Sequence, residues 1–162
     1  MNKNNLKRMS RLAIVASLYI ALTVVFSLLS YGNIQFRLAE ILIFLCFFRK
    51  DYGVSLVLGC LIANIFSPLG IIDVAFGTIA TILSVVCVMF CKKLWFAIFP
   101  PVIFNGIIVG IELNLVLELP LILSMISVII GEAVVLVIGC FVFSKLRKNN
   151  KFLELIEANQ NI

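Results

Sequence analysis

The sequence predicts an all-α membrane protein, a six-transmembrane-helix bundle with both termini cytoplasmic. Three observations carry that reading. The chain is 63% hydrophobic and only 13% charged, against about 45–50% apolar and about 25% charged in an average soluble domain, and its mean hydropathy is +1.20. The charges are segregated: residues 12–36 and 94–111 contain none, residues 52–91 contain Asp73 alone, and residues 119–144 contain Glu132 alone. The basic residues fall into a few short groups. A spanning helix needs about 20 mostly apolar residues, so runs this long leave no soluble domain of useful size.

The elements follow in order. Residues 1–11 form a basic N-terminus with Lys3, Lys7, Arg8 and Arg11. Residues 12–144 form the membrane domain, and residues 145–162 a polar tail opened by Lys145, Arg147, Lys148 and Lys151. Cytoplasmic loops carry the Lys/Arg excess, so both ends are expected inside and the number of crossings even. Placing the internal pairs Arg49–Lys50 and Lys92–Lys93 inside as well gives crossings at about 12–29, 36–48, 53–67, 70–90, 94–112 and 119–144. Of the thirteen Lys/Arg residues, only Arg37 then falls elsewhere.

The first run is expected to be a retained span, since it is long for a signal-peptide core and has no clear cleavage site. The second is short for a span, between Arg37 and Arg49, and is expected to begin in a polar cavity. SPLG at 67–70 reads as a tight turn. Pro100–Pro101 is expected to kink the fifth span.

This topology gathers the unusual residues at the outer side. Gln35, Arg37 and Glu40 open the second span. Asn64 and Asp73 flank the turn between the third and fourth. Asn105 and Glu112 lie on the fifth, Glu118 in the following loop, and Glu132 near the middle of the sixth. A charge at the centre of a spanning helix costs about 2.5–3.5 kcal/mol on insertion scales and usually faces a cavity on a substrate path. Plainer roles exist for several. Arg37 and Glu40, three apart, suit a simple ion pair. Asp73 suits a helix cap, Asn64 an interhelical bond, and Glu118 a solvated loop.

Glu40, Asp73, Glu112 and Glu132 against Arg37 make an acidic, partly buried pocket. Carboxylates accept paired N–H bonds, and Asn and Gln match a mixed donor–acceptor edge. Tyr31, Phe36 and Phe66 could stack on a flat ring. The pattern suits a protonated heterocycle, and a simple cation nearly as well.

Ala13, Ser17 and Ala21 form a small-residue stripe on the first helix. It suits close packing, either inside the bundle or against another membrane protein. Gly106-xxx-Gly110 has the same two readings.

Other chemistry is excluded by what the sequence lacks. There is no histidine, hence no histidine-ligated metal or proton relay. The five cysteines are Cys46, Cys60, Cys87, Cys91 and Cys140; no CxxC occurs, and they read as small apolar residues. There is no Walker, GxSxG or HExxH motif. No cofactor, no metal and no catalytic residue is expected. Two competing classes are a stand-alone cation channel or exporter, with the stripe as a homodimer face, and a membrane enzyme, for which no nucleophile constellation is found.

YGNIQFRLAEIL, LGCLIANIFSPLGIIDVAFGTIATILS, FNGIIVGIEL and IGEAVVLVIG resemble the QueT family over most of residues 10–144. Members look like substrate-binding S-components of energy-coupling factor (ECF) transporters. The resemblance implies an outer substrate pocket and assembly with a transmembrane T-component and two ATPases. It also implies a queuosine precursor as substrate, a 7-deazaguanine carrying an aminomethyl group. On that basis Glu132 or Glu40 accepts the guanine-like N–H pair and Asp73 or Glu112 pairs with the amine. Asn64, Asn105 or Gln35 reads the ring carbonyl, Tyr31 or Phe36 stacks, and Arg37 orients Glu40. The Ala13, Ser17, Ala21 stripe becomes the docking face, with serine in its central place. Asn33 stands where the family pattern has proline.

Overall fold

The computed structural model describes residues 3–30 and 36–158. Tyr31, Asn33 and Gln35 lie outside the described residues. The elements are helices: α1 (Lys3–Val25), which a single further helical turn (Ser27–Ser30) follows, α2 (Leu38–Phe48), α3 (Tyr52–Asn64), α4 (Ile71–Val88), α5 (Leu94–Leu117), α6 (Leu121–Leu146) and a short α7 (Asn150–Leu155). No strand occurs among the described residues. Four helices, α1, α4, α5 and α6, are long and apolar enough to cross a membrane, and α2 and α3 are shorter apolar helices. Many large apolar side chains face outward, among them Ile14, Ile71, Ile107 and Ile122, as expected where lipid rather than water surrounds a bundle.

Packing runs α1 on α3, α3 on α4, α4 on α5 and α5 on α6, and α2 closes the ring between α6 and α1. Small residues set the approaches. A Cβ on Gly59 would meet Tyr19, one on Gly106 would meet Ile129, and one on Gly110 would meet Met125. Gly106 and Gly110 therefore serve the α5–α6 contact. The stripe on α1 differs: Ala13, Ser17 and Ala21 are all exposed, while Tyr19 and Thr23 face the bundle.

The shortness of α2 has a packing reason. Ala39, Glu40 and every residue from Leu42 to Phe48 are buried. Phe44 and Phe48 pack against Phe143 of α6, at ring separations of 5.6 and 6.0 Å. A run of this length is typical of a core helix. Its first half, Leu38–Ile43, is a 3-10 helix.

Two local expectations are corrected. Pro100–Pro101 stands at the start of the fifth span's α-helix rather than inside it. A 3-10 turn (Leu94–Ile98) precedes the α-helix, which starts at Phe99 with the prolines in its first turn, where an amide donor has no intrahelical partner to lose. Asp73 does not cap α4. The cap position is Gly70, at φ 66°, a left-handed value that glycine adopts without strain.

The basic groups share one end of the bundle. Arg8 pairs with Asp51 at 2.9 Å, Arg49 with Asp51 at 2.9 Å and with Glu157 at 2.7 Å, and Arg11 with Glu157. Lys50 sits over the Phe90 ring. The segment after α6 is docked there: the Tyr52 hydroxyl donates to the Ile156 carbonyl, and Ile156 is buried.

Candidate functional site

Arg37, Glu40, Asn64, Asp73, Asn105, Glu112 and Glu132 are all buried, none more than 1% exposed. They come from five helices and the approach to α2, yet they form one cluster with Arg37 as common neighbour. The Arg37 guanidinium donates to Asp73 Oδ1 at 3.2 Å. Glu40 and Glu132 both feel its charge, and Glu112 feels both Arg37 and Asp73. On α5 and α6, Asn105 Nδ2 donates to Glu132 Oε1 at 2.9 Å. At the α3–α4 contact, Asn64 Nδ2 donates to the Asp73 carbonyl at 3.0 Å.

Arg37 and Glu40 are not the simple pair that their spacing suggested. Glu40 Oε1 accepts from the Tyr19 hydroxyl at 2.5 Å, and the direct ion pair of Arg37 is with Asp73, 36 residues away. The 3-10 start of α2 turns Arg37 towards α4 and Glu40 towards α1. Phe36 is half-buried, whereas Phe66 is exposed and so is removed from any stacking role inside the cluster. Glu118 is exposed, in a left-handed conformation past the end of α5.

The cluster is unbalanced. Buried side-chain atoms without a hydrogen-bond partner include Asn64 Oδ1, Asp73 Oδ2, Asn105 Oδ1, both carboxylate oxygens of Glu112, and Glu132 Oε2. These six are acceptors. The N–H in the same state is Arg37 Nε. Leaving a buried polar group unpaired costs about 1–3 kcal/mol, more for a charge, and buried polar groups are paired in the large majority of cases. Six unpaired buried acceptors and four carboxylates thus stand against one guanidinium. The two asparagines spend their amide nitrogens on the Asp73 carbonyl and on Glu132, so their carbonyl oxygens are left over.

Three participants were missed by sequence reasoning. Tyr19 holds Glu40; its signal was the pair Tyr19–Thr23, hydroxyls one turn apart on the face of α1 opposite the small stripe. Cys60 is not merely a small apolar residue: its sulfur accepts from Thr81 at 3.1 Å and from Asn64 at 3.4 Å. Gly77 makes room: a Cβ there would meet Asn64 Nδ2 and lie 3.1 Å from Asp73 Oδ1 and 3.4 Å from Arg37 Nη1. No sequence signal separates it from a packing glycine.

Buried ionisable residues inside an apolar helical bundle are usually functional and mark a transport path. Residues 9–148 match the family described as "QueT transporter". The chain is also 36% identical to a protein of Lactococcus lactis subsp. cremoris (strain MG1363) named "Queuosine precursor transporter QueT", an alignment covering 91% of this chain and 96% of that protein. The chain belongs to the QueT transporter family. No solved structure matches it significantly.

Proposed function

We propose that this chain is the substrate-binding S-component of an ECF-type ATP-driven importer, and that its ligand is a queuosine precursor, 7-aminomethyl-7-deazaguanine. The observation that carries the reading is the surplus of unpaired buried acceptors around Arg37. The aminomethyl-deazaguanine is flat, cationic at neutral pH and rich in N–H groups, with one ring carbonyl. Its ammonium suits a carboxylate, Glu112 or Asp73. Its guanine-like N–H edge suits Glu132 with the Asn105 carbonyl. Its own carbonyl suits Arg37 Nε. The name of the Lactococcus relative points to the same substrate class.

In this reading six helices cross the membrane and both termini are cytoplasmic. The gathering of Arg8, Arg11, Arg49 and the Glu157 segment at one end of the bundle supports that orientation. The exposed stripe Ala13, Ser17, Ala21 docks on a T-component, which two ATPases drive. Reorientation of the bundle then exchanges the closed cluster between the two sides.

Calorimetric titration of the purified chain in detergent tests the proposal. Tight binding of 7-aminomethyl-7-deazaguanine, weak binding of guanine, and loss of the difference in Glu112→Gln and Glu132→Gln are expected. Equal affinity for both compounds would refute the cationic-ligand assignment.

A further inference from the structure

At the basic end lies a concave site, separate from the acidic cluster. Phe47, Lys92, Lys93, Trp95, Ser144 and Arg147 line a cavity of about 390 Å³ between the α4–α5 turn and the end of α6. Its charge is uncompensated. Among the described residues no carboxylate pairs with Lys92, Lys93 or Arg147, whereas the neighbouring cations Arg8, Arg11 and Arg49 are each paired with Asp51 or Glu157. The surrounding sequence contains no acidic residue from 74 to 111, nor from 133 to 153.

The rim is apolar and aromatic. Trp95 is 50% exposed and meets Phe141 edge-on at 5.5 Å; Phe96 and Phe99 are exposed beside it. Half-exposed aromatics next to Lys and Arg mark the depth of lipid headgroups. A free anion would use the cations and leave this wall unused. A molecule with an anionic head and hydrocarbon chains uses both.

We propose that this cavity is a binding site for the phosphodiester headgroup of an anionic membrane lipid, with Lys92, Lys93 and Arg147 on the phosphate and the acyl chains along Trp95, Phe96 and Phe141. Phosphate contacts from juxtamembrane basic residues are the general basis of such recognition. A lipid seated there would tie the α4–α5 turn to the end of α6, at the end of the bundle opposite the turn carrying Asp73.

The test is native mass spectrometry of the full chain in detergent, titrated with phosphatidylglycerol, phosphatidylcholine or inorganic phosphate. Retention of phosphatidylglycerol adducts over phosphatidylcholine is expected. The K92Q/K93Q/R147Q variant should lose that retention by roughly a hundredfold, about fivefold for each cation removed, and R147Q alone should show the single step. Equal retention of both lipids, or unchanged retention in the variants, overturns the proposal. Inorganic phosphate displacing phosphatidylglycerol at equal concentration also overturns it, in favour of a free-anion site.

Discussion

The Tyr19 hydroxyl donates to Glu40 Oε1 at 2.5 Å, both side chains being buried. The contact joins α1, which carries the exposed stripe on its far face, to the start of α2, where the acidic cluster begins. A hydrogen bond to a charged group is worth about 1.5–3 kcal/mol. Tyr19→Phe removes it while keeping the ring that packs against Gly59. The variant leaves Glu40 Oε1 buried without its donor, so it is expected to unfold at a lower temperature, and displacement of Glu40 is expected to weaken ligand binding by roughly tenfold or more. Titration and thermal unfolding of the same preparation check both halves.

Arg37 and Asp73 form an ion pair with side chains only 1% and 0% exposed. Removing one partner of a buried pair strands the other charge, at about 3–5 kcal/mol. Arg37→Gln should therefore unfold at markedly lower temperature, and Arg37→Gln with Asp73→Asn should recover part of the loss. A double-mutant cycle on thermal unfolding in detergent measures the coupling. Additive effects would show that the pair is not energetically coupled.

Gly77 separates space from charge as determinants of the site. Gly77→Ala changes no hydrogen-bonding group, yet its Cβ would displace the Asn64 amide from the Asp73 carbonyl. Overpacking of this kind costs about 1–3 kcal/mol. Ligand affinity is expected to fall about tenfold or more, while Gly59→Ala, at the α1–α3 contact, should act mainly on stability. The affinity-to-stability ratio of the two variants is the measurement.

Periodicity and charge spacing made the helices legible, because long charge-free runs admit few alternatives. The ends were less so. The first helix is Lys3–Val25 rather than 12–29 and the fifth runs on to Leu117 rather than ending near 112, because a helix continues past the charges that bound its apolar run. The polar residues that form the cluster were visible because each is costly where it stands. Their pairing was not. Arg37 chose Asp73 over the nearer Glu40, since partners 36 residues apart are set by the α2–α4 packing rather than by local spacing. Tyr19, Cys60 and Gly77 passed as ordinary residues of apolar helices, because a single hydroxyl, thiol or missing Cβ has no periodic signature.

The segment after α6 is held by charge as well as by the burial of Ile156 and the packing of Phe152. Glu157 is bonded to Arg11 and Arg49, and the hydrogen bond from Arg11 above all holds its carboxyl below the ordinary glutamate range. A depressed carboxyl contributes stability at pH values above its unfolded pKa and loses it as the pH falls through the folded one. Docking of α7 should thus be tightest at neutral pH and loosened in acid. Glu157→Gln should loosen it at neutral pH too. Proteolysis after residue 148, followed across pH, reads the loosening; the exposed position of Glu157 makes the effect modest and sensitive to salt.

Ala13, Ser17 and Ala21 are exposed although small, while the bundle contacts of α1 are made by Tyr19 and its neighbours. Bulk added to that stripe therefore costs nothing inside the chain. Ser17→Trp should leave thermal stability and ligand affinity within about twofold of the parent, since surface substitutions away from special features usually shift stability by less than about 0.5 kcal/mol. It should block close approach of another helix, because helices that meet through small residues have no room for an indole. Co-purification from membranes with the transmembrane partner of an ATPase module is expected for the parent and not for Ser17→Trp. If the variant co-purified as well as the parent, docking through this face would be excluded. If the parent ran as a dimer that Ser17→Trp dissociated, with no such partner retained, the stripe would instead be a contact between two copies of the chain.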